Sequence, residues 1–107
     1  MLIELLARVL QAGGDVLEIE HKDRKEWVTA FRGPIGFGIS CLEVDEAKLL
    51  FREMDNLRRK KQVTIAGTTY RLCFSRYESF GEWVYRIGIK QKPSNTRVQR
   101  TAVRRRA

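Results

Sequence analysis

Hydrophobic residues near the start of the chain recur at the spacing of one helical face. Side chains at i, i+3, i+4 and i+7 point the same way on a helix. The positions concerned are Leu2, Leu5, Leu6 and Val9. Gly13 and Gly14 end the repeat, as glycines at helix C-termini commonly do. Ile3 and Leu10 lie outside this stripe, so we expect the excess apolar surface to form a contact between two subunits.

Two alternating runs after these glycines predict a strand hairpin. Residues 16–21 and 27–31 alternate apolar and polar side chains, which is the two-residue period of a half-buried strand. The polar residues 22–25 separate the runs, so the two strands are expected to pair in antiparallel fashion. In this arrangement Trp27 and Phe31 share one face of the hairpin.

The glycine-rich residues 33–38 are expected to form a loop, followed by a short stretch over residues 39–44 that leads to the second helix. Three glycines weaken strand pairing, and Pro34 lacks the amide donor that a sheet ladder needs. Ile35 and Phe37 are apolar side chains flanked by glycines in this segment. They are therefore the candidate residues of a partner-binding loop.

A second helix and a three-stranded meander complete the pattern. Asp45 is placed as the N-cap of the helix. The apolar stripe that follows comprises Ala47, Leu50, Phe51, Met54 and Leu57. Strand patterns then cover residues 63–65, 70–75 and 83–89, with turns at residues 66–68 and 78–81 between them. Two rows of alternate side chains on the last two strands are expected to meet on the core side, namely Tyr70, Leu72 and Phe74 on one strand and Trp83, Tyr85, Ile87 and Ile89 on the next. The order α-β-β-α-β-β-β predicts an α+β fold, with an antiparallel sheet of about five strands and both helices packed on one face.

Charge is distributed unevenly along the chain. The length of 107 residues fits one domain, which we place at residues 1–93. The formal charge is +8, but five of the 21 Lys and Arg residues lie beyond Pro93, where no acidic residue occurs. Residues 1–93 therefore hold 16 basic and 13 acidic side chains, a charge of only +3. Residues 94–107 are expected to be a flexible basic tail that attracts polyanions without specificity.

The N-terminal apolar run and the cysteines favour a cytoplasmic protein. Glu4 and Arg8 interrupt the run, which also lacks the basic start of a secretory signal. No stretch approaches the length of about 18 apolar residues that spans a bilayer, so no membrane partner is expected. Cys41 and Cys73 are far apart and lack metal or redox spacing, so we expect two free thiols.

No catalytic, cofactor or metal site is expected, and the protein is not expected to be an enzyme. His21 is the only histidine, and no elbow motif surrounds a candidate nucleophile. One histidine and two distant cysteines are a poor ligand set for a metal. Residues 33–38 do not fit a phosphate-binding loop, because a proline removes one amide and no lysine follows. Glu18 and Glu20 are expected to be solvated on an outer sheet face.

Four consecutive cations end the second predicted helix. Their charges offset the helix dipole, which is a sufficient structural reason for them. They also extend a basic helical face, which gives a candidate anion or nucleic-acid patch. The patch comprises Lys48, Arg52, Arg58, Arg59, Lys60 and Lys61.

Residues 95–106 carry the sequence Asn-Thr-Arg-Val-Gln-Arg-Thr-Ala-Val-Arg-Arg-Arg. This stretch resembles the tails of bacterial integron gene-cassette proteins, in which the reading frame runs into the recombination site of the cassette. The resemblance implies a mobile bacterial gene, in a group that is commonly of unknown function. It also implies that the charge of the tail follows from the DNA sequence and not from selection on binding.

These observations favour a small cytoplasmic binding or regulatory protein that acts through protein–protein contacts, as a homodimer or with another protein. The alternative is a nucleic-acid-binding protein that uses the four cations of residues 58–61 and the basic tail. A small-ligand carrier would need a cavity lined by Trp27, Phe51 and Trp83, whose periodic placement favours the core instead. We therefore expect neither a small-molecule ligand nor a cofactor.

Overall fold

The computed structural model describes residues 1–92, which form two helices and six strands. The elements are α1 (Leu2–Gln11), β1 (Val16–Lys22), β2 (Lys25–Arg32), β3 (Ile35–Leu42), α2 (Val44–Lys60), β4 (Gln62–Ile65), β5 (Thr68–Ser79) and β6 (Glu82–Gln91). The predicted tail, residues 94–107, lies outside the described residues. Neither helix within residues 1–92 is long and apolar enough to cross a membrane.

The strands form one antiparallel sheet in the order β3-β2-β1-β6-β5-β4. The predicted α+β class is confirmed, but the sheet has six strands and not five. The additional strand is β3, where a loop was predicted. That prediction was wrong because glycine and proline exclude only a central strand, whereas β3 is an edge strand and Pro34 lies in the turn before it. Ile35 and Phe37 therefore belong to an edge strand and not to a loop.

Phe31 explains one of the glycines of β3. A Cβ atom on Gly36 would lie 2.6 Å from Cε1 and 2.9 Å from Cζ of the Phe31 ring. The guanidinium of Arg86 lies 5.4 Å from the centroid of the same ring, on the outer face of the sheet. At Gly38, by contrast, no atom would lie within 4 Å of an added Cβ. Of the two glycines in β3, only Gly36 is required by packing.

The central pair of strands joins two three-stranded meanders, and α2 connects their far edges. β1 pairs with β6 from Val16 opposite Gly88 to Glu20 opposite Val84. α2 has 17 residues, and at 1.5 Å per residue it is about 25 Å long. Six strands at their usual spacing span about 24 Å between the edge strands. α2 therefore crosses the inner face of the sheet, and it contacts β2, β3 and β4.

The hydrophobic core lies between the helices and this inner face. Its helical members are Leu2, Leu5, Leu6, Val9, Leu50 and Met54, and its main strand members are Leu17, Ile19, Val28, Ala30, Leu72, Ile87 and Ile89. The predicted apolar faces of both helices and of β1, β5 and β6 are confirmed by this set. Leu10 also packs against the core, so of the two residues outside the α1 stripe only Ile3 is exposed.

α2 begins at a pair of glutamates and not at the predicted N-cap, Asp45. Its N-cap is Glu43, whose backbone N–H donates to Oε1 of Glu46 at 3.1 Å, while the Glu43 side chain accepts from the Glu46 backbone. This reciprocal capping box satisfies two amide groups at the helix start. At the other end Lys61 adopts a left-handed backbone, with φ of 60°, and its N–H donates to the Leu57 carbonyl at 2.7 Å.

Candidate binding cleft at the free edge of β5

β5 is three times as long as its neighbour β4, and half of its outer edge has no strand beside it. β6 pairs with β5 along the hairpin, from Tyr70 to Ser79. β4 has four residues and pairs with β5 only as far as Arg71. Within residues 1–92 no strand lies beyond Leu72 on this side of β5. A row of strand-pairing groups is therefore open at this edge.

Two hydrogen bonds show which backbone groups point outward. The N–H of Leu72 donates to the Lys61 carbonyl at 2.9 Å on the β4 side, and the Thr69 carbonyl accepts from Lys92 at 3.0 Å on the β6 side. Successive residues of a strand direct their backbone N–H and C=O groups to opposite sides, so the N–H and C=O groups of the even-numbered residues of β5 point to the free edge. Beyond Leu72 these residues are Phe74, Arg76 and Glu78.

This free edge forms one wall of a cleft of about 750 Å³ beside α2. Residues 72–76 line it consecutively, so the cleft follows the strand for about 13 Å. Phe51 and Tyr85 meet edge to face within it, with ring centroids 5.3 Å apart. The apolar floor consists of Phe51, Met54, Leu72, Phe74 and Tyr85. The cleft thus combines an unpaired strand edge with an aromatic surface.

Three cations and one carboxylate stand around this floor, namely Arg58, Lys61, Arg76 and Asp55. Nη1 of Arg58 lies 3.5 Å from Oδ1 of Asp55, and its guanidinium lies 5.9 Å from the centroid of the Phe74 ring. The guanidinium of Arg76 lies 4.2 Å from the centroid of the Trp83 ring. Stacking on aromatic rings restricts both guanidinium groups without neutralising them. The cleft therefore has a positive rim.

The structure divides the predicted basic patch into separate surfaces. Arg58 and Lys61 line the cleft. Lys60 lines a shallow depression on the other side of α2, beside Leu57, Gln62 and Val63. Side chains two positions apart on a helix point in directions that differ by about 200°, so Lys60 and Arg58 lie on opposite sides of α2. The remaining members of the patch, Lys48, Arg52 and Arg59, are exposed, and Arg59 donates to Asn56 at 2.9 Å.

The two predicted partner-binding residues on β3 differ in how far they are exposed to solvent. Ile35 is 59% exposed at the start of the strand, whereas Phe37 is partly buried against the core. Both lie on the β3 edge, which is the opposite edge of the sheet from β4. They take no part in the cleft.

The outer face of the sheet carries a polar cluster around Glu18. This carboxylate was expected to be solvated, but the residue is only 9% exposed. Its Oε2 accepts a hydrogen bond from the Tyr77 hydroxyl at 3.1 Å and lies 3.6 Å from Nε of Arg86. Burial, together with the bond to Glu18, raises the pKa of Tyr77. The expectation was wrong because Arg86 lies directly opposite Glu18 on β6, and Tyr77 reaches across β6 from β5, so that the two side chains cover the carboxylate.

The aromatic residues that a small-ligand carrier would need do not meet. Trp27 is opposite Glu20 in the β1–β2 ladder and therefore lies on the outer face, where its indole N–H donates to the Lys22 carbonyl at 2.9 Å. Trp83 lies on the inner face near the end of the sheet and is 47% exposed. Of the three predicted residues only Phe51 lines the cleft.

His21 lies between two glutamates at the end of the β1–β2 hairpin. Its Nδ1 is hydrogen-bonded to Glu26, and its Nε2 lies 3.9 Å from Glu82. The hydrogen bond to Glu26 raises the pKa of His21. Within residues 1–92 no group of three His, Cys, Asp or Glu side chains is arranged to hold a metal ion.

The cleft residues of β5 and β6 lie on the core-facing rows that their alternation predicts. Alternation gives the correct face of the sheet, but it does not show that a cleft opens there. Phe74 and Tyr85 belong to these rows and remain half-buried because no strand lies beside this part of β5. The signal that reveals the cleft is the unequal length of β4 and β5.

No protein-family model and no curated protein matches the chain.

Proposed function

We propose that the protein is a cytoplasmic binding protein that takes an extended segment of another protein chain as an additional strand on β5. The observation that supports this proposal is the free edge of β5 within an apolar cleft. Strand addition obtains affinity from backbone hydrogen bonds and specificity from pockets for alternate side chains. Two exposed free thiols, Cys41 and Cys73, fit a reducing compartment.

The chemistry of the rim indicates an acidic segment. Arg58, Lys61 and Arg76 outnumber Asp55, and Asp55 is already paired with Arg58. An extended segment presents every second side chain to the same face. The segment that fits has apolar side chains directed to the floor of the cleft and carboxylates beside the rim.

A fluorescence-anisotropy titration tests the proposal. The probe is a fluorescein-labelled peptide of six Glu-Val repeats, compared with a peptide of six Lys-Val repeats at the same salt concentration. We expect the Glu-Val peptide to bind and the Lys-Val peptide to bind at least about tenfold more weakly, since like charges across an interface are unfavourable.

Matched variants assign the binding to the cleft. Arg58→Glu reverses a charge on the rim, and Lys60→Glu makes the same change on the other side of α2. Arg58→Glu is expected to weaken binding of the Glu-Val peptide at least about tenfold, while Lys60→Glu leaves it within about threefold. Equal effects of the two substitutions, or no binding of the Glu-Val peptide, would contradict the proposal.

Nucleic acid is the competing partner, because cations also bind phosphates. A labelled 20-nucleotide single strand is titrated alongside the peptides. Binding of the oligonucleotide that depends on Arg58, without binding of the Glu-Val peptide, would replace the protein partner with a nucleic acid.

A further inference from the structure

We infer that a second copy of this chain occupies the cleft, with the free edges of the two β5 strands paired in antiparallel fashion around Arg76. This inference rests on the proposed function, since it names a partner for the same strand edge. Such a pair would join two six-stranded sheets into one continuous sheet. It is an isologous contact, in which the same surface is used by both copies.

The register follows from the extent of the free edge. The Lys61 carbonyl already accepts from the N–H of Leu72, so a new strand can pair only beyond that residue. β5 ends at Ser79, which leaves Phe74, Arg76 and Glu78 with outward-pointing backbone groups. A two-fold axis through the middle residue uses all three residues of each copy. It places Glu78 of the second copy opposite Phe74.

Charge complementarity supports this register. The Phe74 ring lies beneath the guanidinium of Arg58, with 5.9 Å between the guanidinium carbon and the ring centroid. A carboxylate opposite Phe74 therefore arrives beside Arg58. The two-fold axis generates this ion pair twice, once on each side of Arg76.

The two Arg76 residues lie opposite each other at the centre of the contact, and the stacking of each on Trp83 reduces the repulsion between their charges. Arg76 is drawn onto the Trp83 ring, at 4.2 Å from the ring centroid, and so away from the edge of its own strand. Each Arg76 is then diagonal to Glu78 of the second copy, within reach across an antiparallel pair. Two guanidinium groups and two carboxylates balance along this row.

The other two candidate edges suit a second copy less well. β4 has only four residues, which gives few ladder hydrogen bonds. β3 has a register shift where it pairs with β2 between Val28 and Thr29, and such irregularities disrupt the regular edge of a strand. The outward-pointing residues of β5 contain no proline, lysine or bulge.

Sedimentation-velocity ultracentrifugation of the full chain tests the charge pair. We expect a dimer for the natural sequence and dissociation constants raised more than about tenfold by Arg58→Glu or Glu78→Lys, because each change removes two ion pairs at once. The double variant restores opposite charges and is expected to recover the dimer. Lys60→Glu is the control and should leave the dimer unchanged.

A second pair of variants tests the strand edge itself. Arg76→Pro removes an N–H that points to the free edge, so the ladder with β6 is preserved. Arg76→Ala removes the same side chain and keeps the N–H. Dissociation of the dimer by Arg76→Pro beyond the effect of Arg76→Ala supports strand pairing, provided that far-ultraviolet circular dichroism shows both variants folded. Equal effects, or a dimer that none of these substitutions alters, would overturn the inference.

The outcomes separate this inference from the proposed function. A monomer that binds the Glu-Val peptide contradicts the second copy and leaves strand addition intact. A dimer that the same peptide dissociates supports both, because both partners require one edge. A monomer that binds no peptide contradicts both.

Discussion

Gly36 and Gly38 give a direct test of β3, the strand that replaced a predicted loop. The two glycines lie on the same strand, point to the same face and lack the positive φ that would strain an alanine. An added Cβ lies 2.6 Å from the Phe31 ring at Gly36, whereas at Gly38 it meets nothing within 4 Å. Alanine therefore has opposite consequences at two positions that are only two residues apart.

The magnitude follows from two opposing effects. Replacing glycine reduces the entropy of the unfolded chain and favours the folded state by about 0.4–1 kcal/mol. At Gly36 the same change must displace Phe31, which Arg86 packs against on the outer face, and overpacking of this kind costs about 1–3 kcal/mol. We expect Gly38→Ala to stabilise slightly and Gly36→Ala to destabilise by about 1 kcal/mol.

Thermal unfolding followed by circular dichroism distinguishes the two variants. A change of 1 kcal/mol shifts the midpoint of a domain of this size by about 4–8 °C. We expect the midpoint of Gly36→Ala to fall and that of Gly38→Ala to stay level or rise. Equal midpoints would refute the packing of Phe31 over β3 and would favour the loop that the glycines suggested.

Two further predictions concern pH. The backbone N–H of Leu2 donates a hydrogen bond to Glu53, which outweighs the opposing effect of burial and lowers the pKa of Glu53 from its ordinary value of 4.5. The ionised carboxylate therefore stabilises the fold above pH 4.5, and this contribution is lost as the pH falls through the lower pKa of the folded state. Glu53→Gln should flatten the acid limb of the stability–pH curve, and an unchanged limb would contradict this. The hydrogen bond to Glu26 raises the pKa of His21 above 6.5, so Glu26→Gln should lower the His21 titration midpoint measured by nuclear magnetic resonance, and an unmoved midpoint would show that this bond is not the cause.

Periodicity predicted those parts of the fold in which one face of an element meets the core. The α1 stripe and the facing rows of β5 and β6 are buried as their spacing indicates, because burial of apolar area selects the register. Periodicity was insufficient at Glu18, where a polar position that should face water is covered by Tyr77 and Arg86. Alternation shows which face a residue lies on, but not what long side chains from neighbouring strands place above it.

The cleft depends on strand length, which turns control. Tight turns at Ala66–Gly67 and Phe80–Gly81, each with two positive φ angles, fix both ends of β5. α2 ends at Lys60, only two residues before β4 begins at Gln62, so β4 has room for four residues while β5 has room for twelve. Both turns are indicated by the sequence, but the strand predicted before the second turn ends at Ser75, which concealed the difference in length between β4 and β5. When one strand of a hairpin is much longer than its edge neighbour, part of the longer strand remains unpaired, and here that part lies beside cations at the end of a helix. The spacing between turns is therefore the property of the sequence from which the binding edge can be derived.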